Sequence, residues 1–353
     1  MRWGRTLLVF ALGSLLCSGA FATFRVANLV VVPTAASTPG LYGSNWHTDL
    51  EIMNVDSVAV DVQVVLLKCC GVDNVMWFED VKNSLGGRES EGFGKVEPKL
   101  AGIQPGQTVY LPDVVQFGWG DSVKGSLLVF AYEAGTLTTS TPPGGNPKLI
   151  LVNSRTYSLG TDTNNNPLTF GTQVPGMPWY LYIDPAQTTN GYDHAKFTGL
   201  TENAAYRTAV GLVNVSDRLT TLSVQLTLNA ADGTQIAEEF IQLLPLAMDQ
   251  YDKAIISLFA KTQEDNITGA TLKVAVESYR TGAQNPAPAL IAYVTRMDNA
   301  TNDPVYLEQA FTKELPWDCV FNGKCTATAT GLGLGAVRGA QSHLRPPVPR
   351  LLR

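Results

Sequence analysis

The chain of 353 residues is 45% hydrophobic, is charged at only 16% of its positions, and has a formal net charge of −6. That length suits two ordinary cores, at roughly 100–200 residues per domain, and the sparse charge lies below the roughly 25% of typical soluble domains. Six basic residues (Arg2, Arg5, Arg338, Arg345, Arg350, Arg353) sit in acid-free ends, so the body is more acidic still, which argues against nucleic acid as a partner because its binding depends on neutralising phosphates.

The first residues combine an arginine-bearing start, an apolar run from Leu7 to Leu16, and small residues around Ala20 and Ala22. This layout predicts a signal peptide over residues 1–22, with an apolar run too short for a membrane span of about 20 residues. The expectation is an exported protein (periplasmic, cell-surface or extracellular) with no transmembrane span after cleavage.

Beyond the leader, one stretch is written twice. Ser44 to Leu67 reads SNWHTDLEIMNVDSVAVDVQVVLL, and Ala204 to Leu228 reads AAYRTAVGLVNVSDRLTTLSVQLTL. Trp46 falls on Tyr206, Thr48 on Thr208, and Asn54-Val55 on Asn214-Val215. Apolar residues alternate, a turn-rich step intervenes, and alternation resumes, the pattern of a hairpin of half-buried strands. Further blocks recur in the same order. Pro105 matches Pro245, Gly125 matches Gly269 and Leu128 matches Leu272, each block holding a short apolar segment that suits a helical turn. Arg155 then coincides with Arg296, and Asn165-Asn166-Pro167 with Asn302-Asp303-Pro304. Ordered blocks separated only by insertions point to an internal duplication.

The expected organisation is therefore all-β: two tandem antiparallel β-sandwich domains of immunoglobulin-like character, over residues 23–172 and 173–312. The first carries a loop insertion near residues 68–100, and the second is led by a linker from about Phe170. Residues 313–353 form a loop bounded by Cys319 and Cys325 and a low-complexity basic tail, expected to be disordered.

Candidate chemistry is thin. Cys319 and Cys325 flank Asn322-Gly323, which favours a disulfide closing that turn, whereas Cys69-Cys70 are free, paired elsewhere, or bridged as neighbours. His47-Thr48-Asp49 resembles a catalytic fragment, but its repeat partner is Arg207-Thr208-Ala209, so the scaffold tolerates other residues there. Oxygen-rich loops carry Asp162 in one copy and Asp298 with Asp303 in the other. Calcium, which takes six to eight oxygen ligands, is one reading and Asx-rich turns the other. Trp77, Phe78, Trp119, Trp179 and Tyr180 sit in or near loops, where flat rings stack on sugars or anchor a partner, or plug strand ends.

The phrases VVVPTAASTPGLYGSNWHTDLEIMNV, QPGQTVYLPDVV and LVNSRTY resemble a group of uncharacterised exported bacterial proteins with tandem immunoglobulin-like domains. The resemblance implies export and a β-sandwich unit, and it lends no activity. The leading expectation is a non-catalytic structural or adhesive protein acting through loops and sheet edges on a protein or cell-envelope polysaccharide, with self-assembly through unpaired edges as a further route. A carbohydrate-binding module using the loop aromatics, with calcium or with no cofactor, is the alternative. An extracellular hydrolase around His47 or His194 stands third.

Overall fold

A computed structural model describes residues 25–75, 84–87, 95–138, 143–161, 164–284 and 287–311. The all-β expectation holds: most of these residues lie in strands of antiparallel sheets, with two short α-helices. The expected signal peptide, the expected tail with Cys319 and Cys325, and Asp162, Trp77 and Phe78 all lie outside the described residues.

The first half runs β1 (Leu29–Pro39), β2 (Asn45–Asn54), β3 (Val60–Lys68), β4 (Ser84–Gly86), β5 (Thr108–Leu111), α1 (Val114–Trp119), β6 (Val123–Glu133), β7 (Ile150–Thr161), β8 (Pro167–Pro175) and β9 (Met177–Pro178). These nine strands form one sheet that turns at the short β1–β2 pairing into two layers, β4-β3-β6-β1-β9 and β5-β2-β7-β8. The second half runs β10 (His194–Glu202), β11 (Tyr206–Asn214), β12 (Thr220–Asn229), β13 (Gln235–Leu243), β14 (Met248–Tyr251), α2 (Ala254–Phe259), β15 (Ile267–Thr281), β16 (Leu290–Asp298), β17 (Pro304–Glu308) and β18 (Ala310–Phe311). Its orders are β13-β12-β15-β10-β18 and β14-β11-β16-β17, element for element those of the first half. Residue 172, where a domain boundary was expected, lies inside β8, and β9 pairs with β1, so the segment up to Pro178 completes the first half's sheets.

The repeated hairpin is a crossover. β2 pairs with β1, β5 and β7, whereas β3 pairs with β4 and β6, so the step between them carries the chain from one sheet to the other. β11 and β12 do the same. Alternation shows that a strand has a buried face, and says nothing of which strand lies beside it. The crossover is fixed by a buried asparagine in each copy. The Asn54 amide donates to the carbonyls of Val58 and Ile103, both at 2.8 Å, and that of Asn214 donates to Thr220, Leu243 and Leu244 at 2.9, 3.3 and 2.8 Å. A second marker is the threonine pair. Thr48 Oγ1 accepts from Ala36 N at 2.8 Å and Thr208 Oγ1 from Thr201 N at 3.0 Å, closing equivalent strand corners. Just before these corners β1 and β10 break register, at Pro33-Thr34, where the proline lacks an N–H, and at Gly199, whose φ is +80°.

Strand register corrects two sequence matches. Ile150 and Val152 line the first core as Leu290 and Ala292 line the second, which equates Arg155 with Thr295 rather than Arg296. Likewise Leu127, and not Leu128, is the counterpart of Leu272. A one-residue slip costs little in a sequence comparison but moves a side chain to the opposite face.

Three hydrophobic cores result. The first lies between the two sheets of the first half and includes Val32, Leu50, Ile52, Val64, Leu127 and Val152. The second, between the sheets of the second half, includes Phe197, Leu212, Leu226, Leu272 and Val294. The third joins the halves: Val31, Val65, Leu67, Leu128, Phe130 and Met177 of the first meet Val213, Met248, Ile291 and Tyr293 of the second. The sheets thus stack in four layers, and β3 is buried on both faces, from Val60 through Leu67, because the second half covers its outer side. At the seam Tyr293 lies over Gly211, where a Cβ would come within 2.0 Å of its ring, and donates to Gln250 Oε1 at 2.7 Å.

Candidate functional site: the open face of the first half

β2 points its even-numbered residues, Thr48, Leu50 and Ile52, into the core and its odd-numbered residues, His47, Asp49 and Glu51, outward. Pairing with β7 sets His47 opposite Tyr157, Asp49 opposite Arg155 and Glu51 opposite Asn153. β5 adds Tyr110 opposite Glu51. Asp113, held at φ +45° between β5 and α1, reaches back over the same face.

These side chains hold one another. His47 Nδ1 meets Asp113 Oδ2 at 2.8 Å, and its Nε2 lies 3.1 Å from the amide of Asn45. The Asp49 carboxylate accepts from Tyr110 Oη at 2.8 Å, from Asp113 N at 2.9 Å and from Tyr157 Oη at 3.3 Å. Bonds to a charged acceptor contribute about 1.5–3 kcal/mol each. Tyr157 stacks on His47 with centroids 5.8 Å apart, and the Arg155 guanidinium sits 4.9 Å from the Tyr157 ring while donating to Thr169 at 2.8 Å. Burial, followed by the charges of Asp49 and Asp113, pushes the Tyr157 hydroxyl up to about 12. Its bond to Asp49 comes first in raising Tyr110, followed by burial. Both phenols therefore remain protonated donors across the physiological range. Tyr110 is nonetheless 49% exposed, so about half of it stays open to solvent.

This arrangement presents fixed donors, acceptors and aromatic rings on the outer face of the sheet. Both ring nitrogens of His47 are engaged by Asp113 and Asn45, and no serine or cysteine among the described residues hydrogen-bonds to it. His194 stands on β10 beside Asp193 at 3.2 Å, in the other half of the molecule. The described residues contain no group of three or more His, Cys, Asp or Glu side chains placed to hold a metal ion.

The sequence-level candidates scatter. Trp119, the last residue of α1, packs part-buried against the first core. Trp179 is 43% exposed, donates to Asn28 at 3.3 Å and meets Tyr180 edge-on at 6.1 Å, and Tyr180 packs against the first core. Asp298 accepts from the backbone N–H groups of Ala300 and Thr301 at 2.8 and 2.9 Å, which hold its carboxyl below the usual range. Asp303 closes the same turn by accepting from Asp298 N at 3.1 Å. The loop's amide oxygens hold a guanidinium: Asn299 Oδ1 and Asn302 Oδ1 accept from Arg207 at 3.0 and 2.8 Å. Cys69 and Cys70 are joined to each other by a disulfide across a cis peptide bond, where the halves meet.

Asp49, Tyr110, Asp113 and Tyr157 escaped sequence reasoning as a set. They are distributed over β2, β5, the turn before α1, and β7, and only His47-Thr48-Asp49 leaves a local trace. The corresponding face of the second half carries Arg207, Ala209, Gly211 and Val213 on β11 and is covered by the first half. No family model, curated protein or solved structure matches the chain.

Proposed function

We propose that this chain is an exported, non-catalytic binding protein made of two immunoglobulin-like sandwiches, which meets a polar partner of the cell envelope through the open face of its first half. The carrying observation is the asymmetry between equivalent faces. In the second half that face is small and apolar, with Ala209, Gly211 and Val213, and serves to dock the halves together. In the first half the same positions hold Asp49, Glu51 and Met53 beside Tyr110, Arg155 and Tyr157, and among the described residues no strand of the second half packs over them. A pre-fixed polar surface loses little freedom when a partner binds, which favours recognition. With both nitrogens of His47 occupied by Asp113 and Asn45, and no hydroxyl among the described residues hydrogen-bonded to it, binding accounts for the cluster better than hydrolysis does.

The test is capture of envelope components by the purified protein, compared with Tyr110→Ala and Arg155→Ala, and with Gln225→Ala on the opposite outer sheet as control. Loss of the captured component in the two face variants and its retention in the control are expected. Equal capture by all four proteins, or a hydrolytic activity abolished by His47→Ala, would overturn the reading.

A further inference from the structure

A cleft of about 250 Å³ lies along the seam between the halves, lined by the corner of β1, by Trp46, by Cys69 of the disulfide, and by residues of β11 and β16. Its charged lining is Lys68, Lys124 and Arg207 against Asp252, a positive balance within an acidic protein. Lys124 and Asp252 satisfy each other at 3.2 Å. Arg207 is different.

Its side chain is only 1% exposed. All its hydrogen-bond partners are neutral: Asn299 and Asn302 oxygens, the Asp298 carbonyl at 3.5 Å and the Met297 sulfur at 3.4 Å. No carboxylate among the described residues forms an ion pair with it, and its Nε is buried without a partner. The Tyr42 ring, 5.0 Å away, supplies only a cation–π contact. Taking an ion out of water is costly when no opposite charge is paired with it. The equivalent residue in the first half is His47, which has the Asp113 carboxylate beside it at 2.8 Å. Arginine stays charged, and the counterpart of Asp113 is Lys253, a second cation, which shares the Tyr42 ring at 4.9 Å. The second half thus places a permanent cation on the cleft wall that no carboxylate among the described residues ion-pairs or hydrogen-bonds, and whose Nε–H has no partner.

The remaining lining decides the ligand class. Thr34, Thr38, Thr172 and Thr295 line it with hydroxyl oxygens that can accept, while the Gln250 amide bridges Tyr293 and Asp252 at 2.7 and 2.6 Å. An inorganic ion would fill only a fraction of this space, since a water's share of liquid volume is about 30 Å³. We propose that the seam cleft is a binding site for a small hydroxylated carboxylate of the sugar-acid class, its carboxylate on Arg207 and its hydroxyls along the threonine walls. This site is separate from the open face of the first half and stands whether or not that face binds.

The experiment is calorimetric titration of the purified protein with glucuronate, glucose and sulfate, together with nitrogen-15 spectra of the arginine Nε–H groups. Glucuronate should bind at least about 10-fold tighter than glucose, the factor expected when one charge-assisted bond is lost, and should move the Arg207 Nε–H resonance. Arg207→Lys should weaken it by a similar factor, and Thr295→Val should weaken it measurably while leaving the thermal melt unchanged. If Arg207→Lys fails to fold, the wild-type resonance and the Thr295 variant still decide the matter. The proposal is overturned by absence of glucuronate binding, by sulfate binding as tightly as glucuronate, or by binding that leaves the Arg207 resonance unmoved.

Discussion

Ile291→Ala tests whether the halves behave as one folding unit. Ile291 is fully buried on β16, on the face turned toward the first half, among Val31, Leu67, Phe130 and Met248 in the third core. The substitution removes three carbons, worth about 2.4 kcal/mol at roughly 0.8 kcal/mol per buried group. If little of the space closes, a residual cavity of about 70 Å³ adds about 1.7 kcal/mol at roughly 24 cal/mol per Å³. The expected loss is therefore about 2.4–4 kcal/mol. Urea denaturation followed by tryptophan fluorescence and by far-ultraviolet circular dichroism measures it. Tryptophans sit mainly in the first half, whereas the dichroism reports both, so a shared core requires the two curves to coincide and to shift together. A loss below about 1 kcal/mol, or two separated transitions of which only one moves, would refute the reasoning.

Two other substitutions probe the second half. Gly211→Ala places a methyl group within 2.0 Å of the Tyr293 ring, and should cost about 1–3 kcal/mol by overpacking; a variant with an unchanged urea midpoint would show that Tyr293 moves aside freely. Burial pushes the Glu202 carboxyl up, against the opposing effects of Thr208 N–H, Lys253 and Arg207. A carboxyl raised in the folded state binds its proton more tightly there than in the unfolded chain, so its contribution is complete below the unfolded value and is lost as pH rises through the folded one. Glu202→Gln should therefore flatten the decline in stability above about pH 4.5, and melts at stepped pH with equal slopes for the two proteins would count against it.

The duplication was legible because its markers are structural necessities. Asn54 and Asn214 tie the crossover, and Thr48 and Thr208 close the strand corner, so these residue types recur while their neighbours drift. The short helices were legible from the apolar segments after Pro105 and Pro245. Strand partnership was not, because alternation records one buried face and leaves open whether the next strand lies beside it or across the core. The four consecutive apolar residues Val64 to Leu67 carried the one local hint that β3 is covered on both sides. The open-face cluster was hidden for a different reason: Asp49, Tyr110, Asp113 and Tyr157 come together only through register, and register between distant strands leaves no mark on any one segment.

The shared third core also governs how this chain can be cut. Separating the halves near Tyr182 would lay bare Leu67, Leu128 and Phe130 on one fragment and Val213, Met248 and Ile291 on the other. Each fragment would carry a broad apolar sheet face in water, the kind of surface that drives association. The smallest piece worth expressing is therefore the pair, although either half alone contains a full set of strands. What began as two copies of one unit has become a left and a right shoe, each shaped by its mate and neither able to replace it.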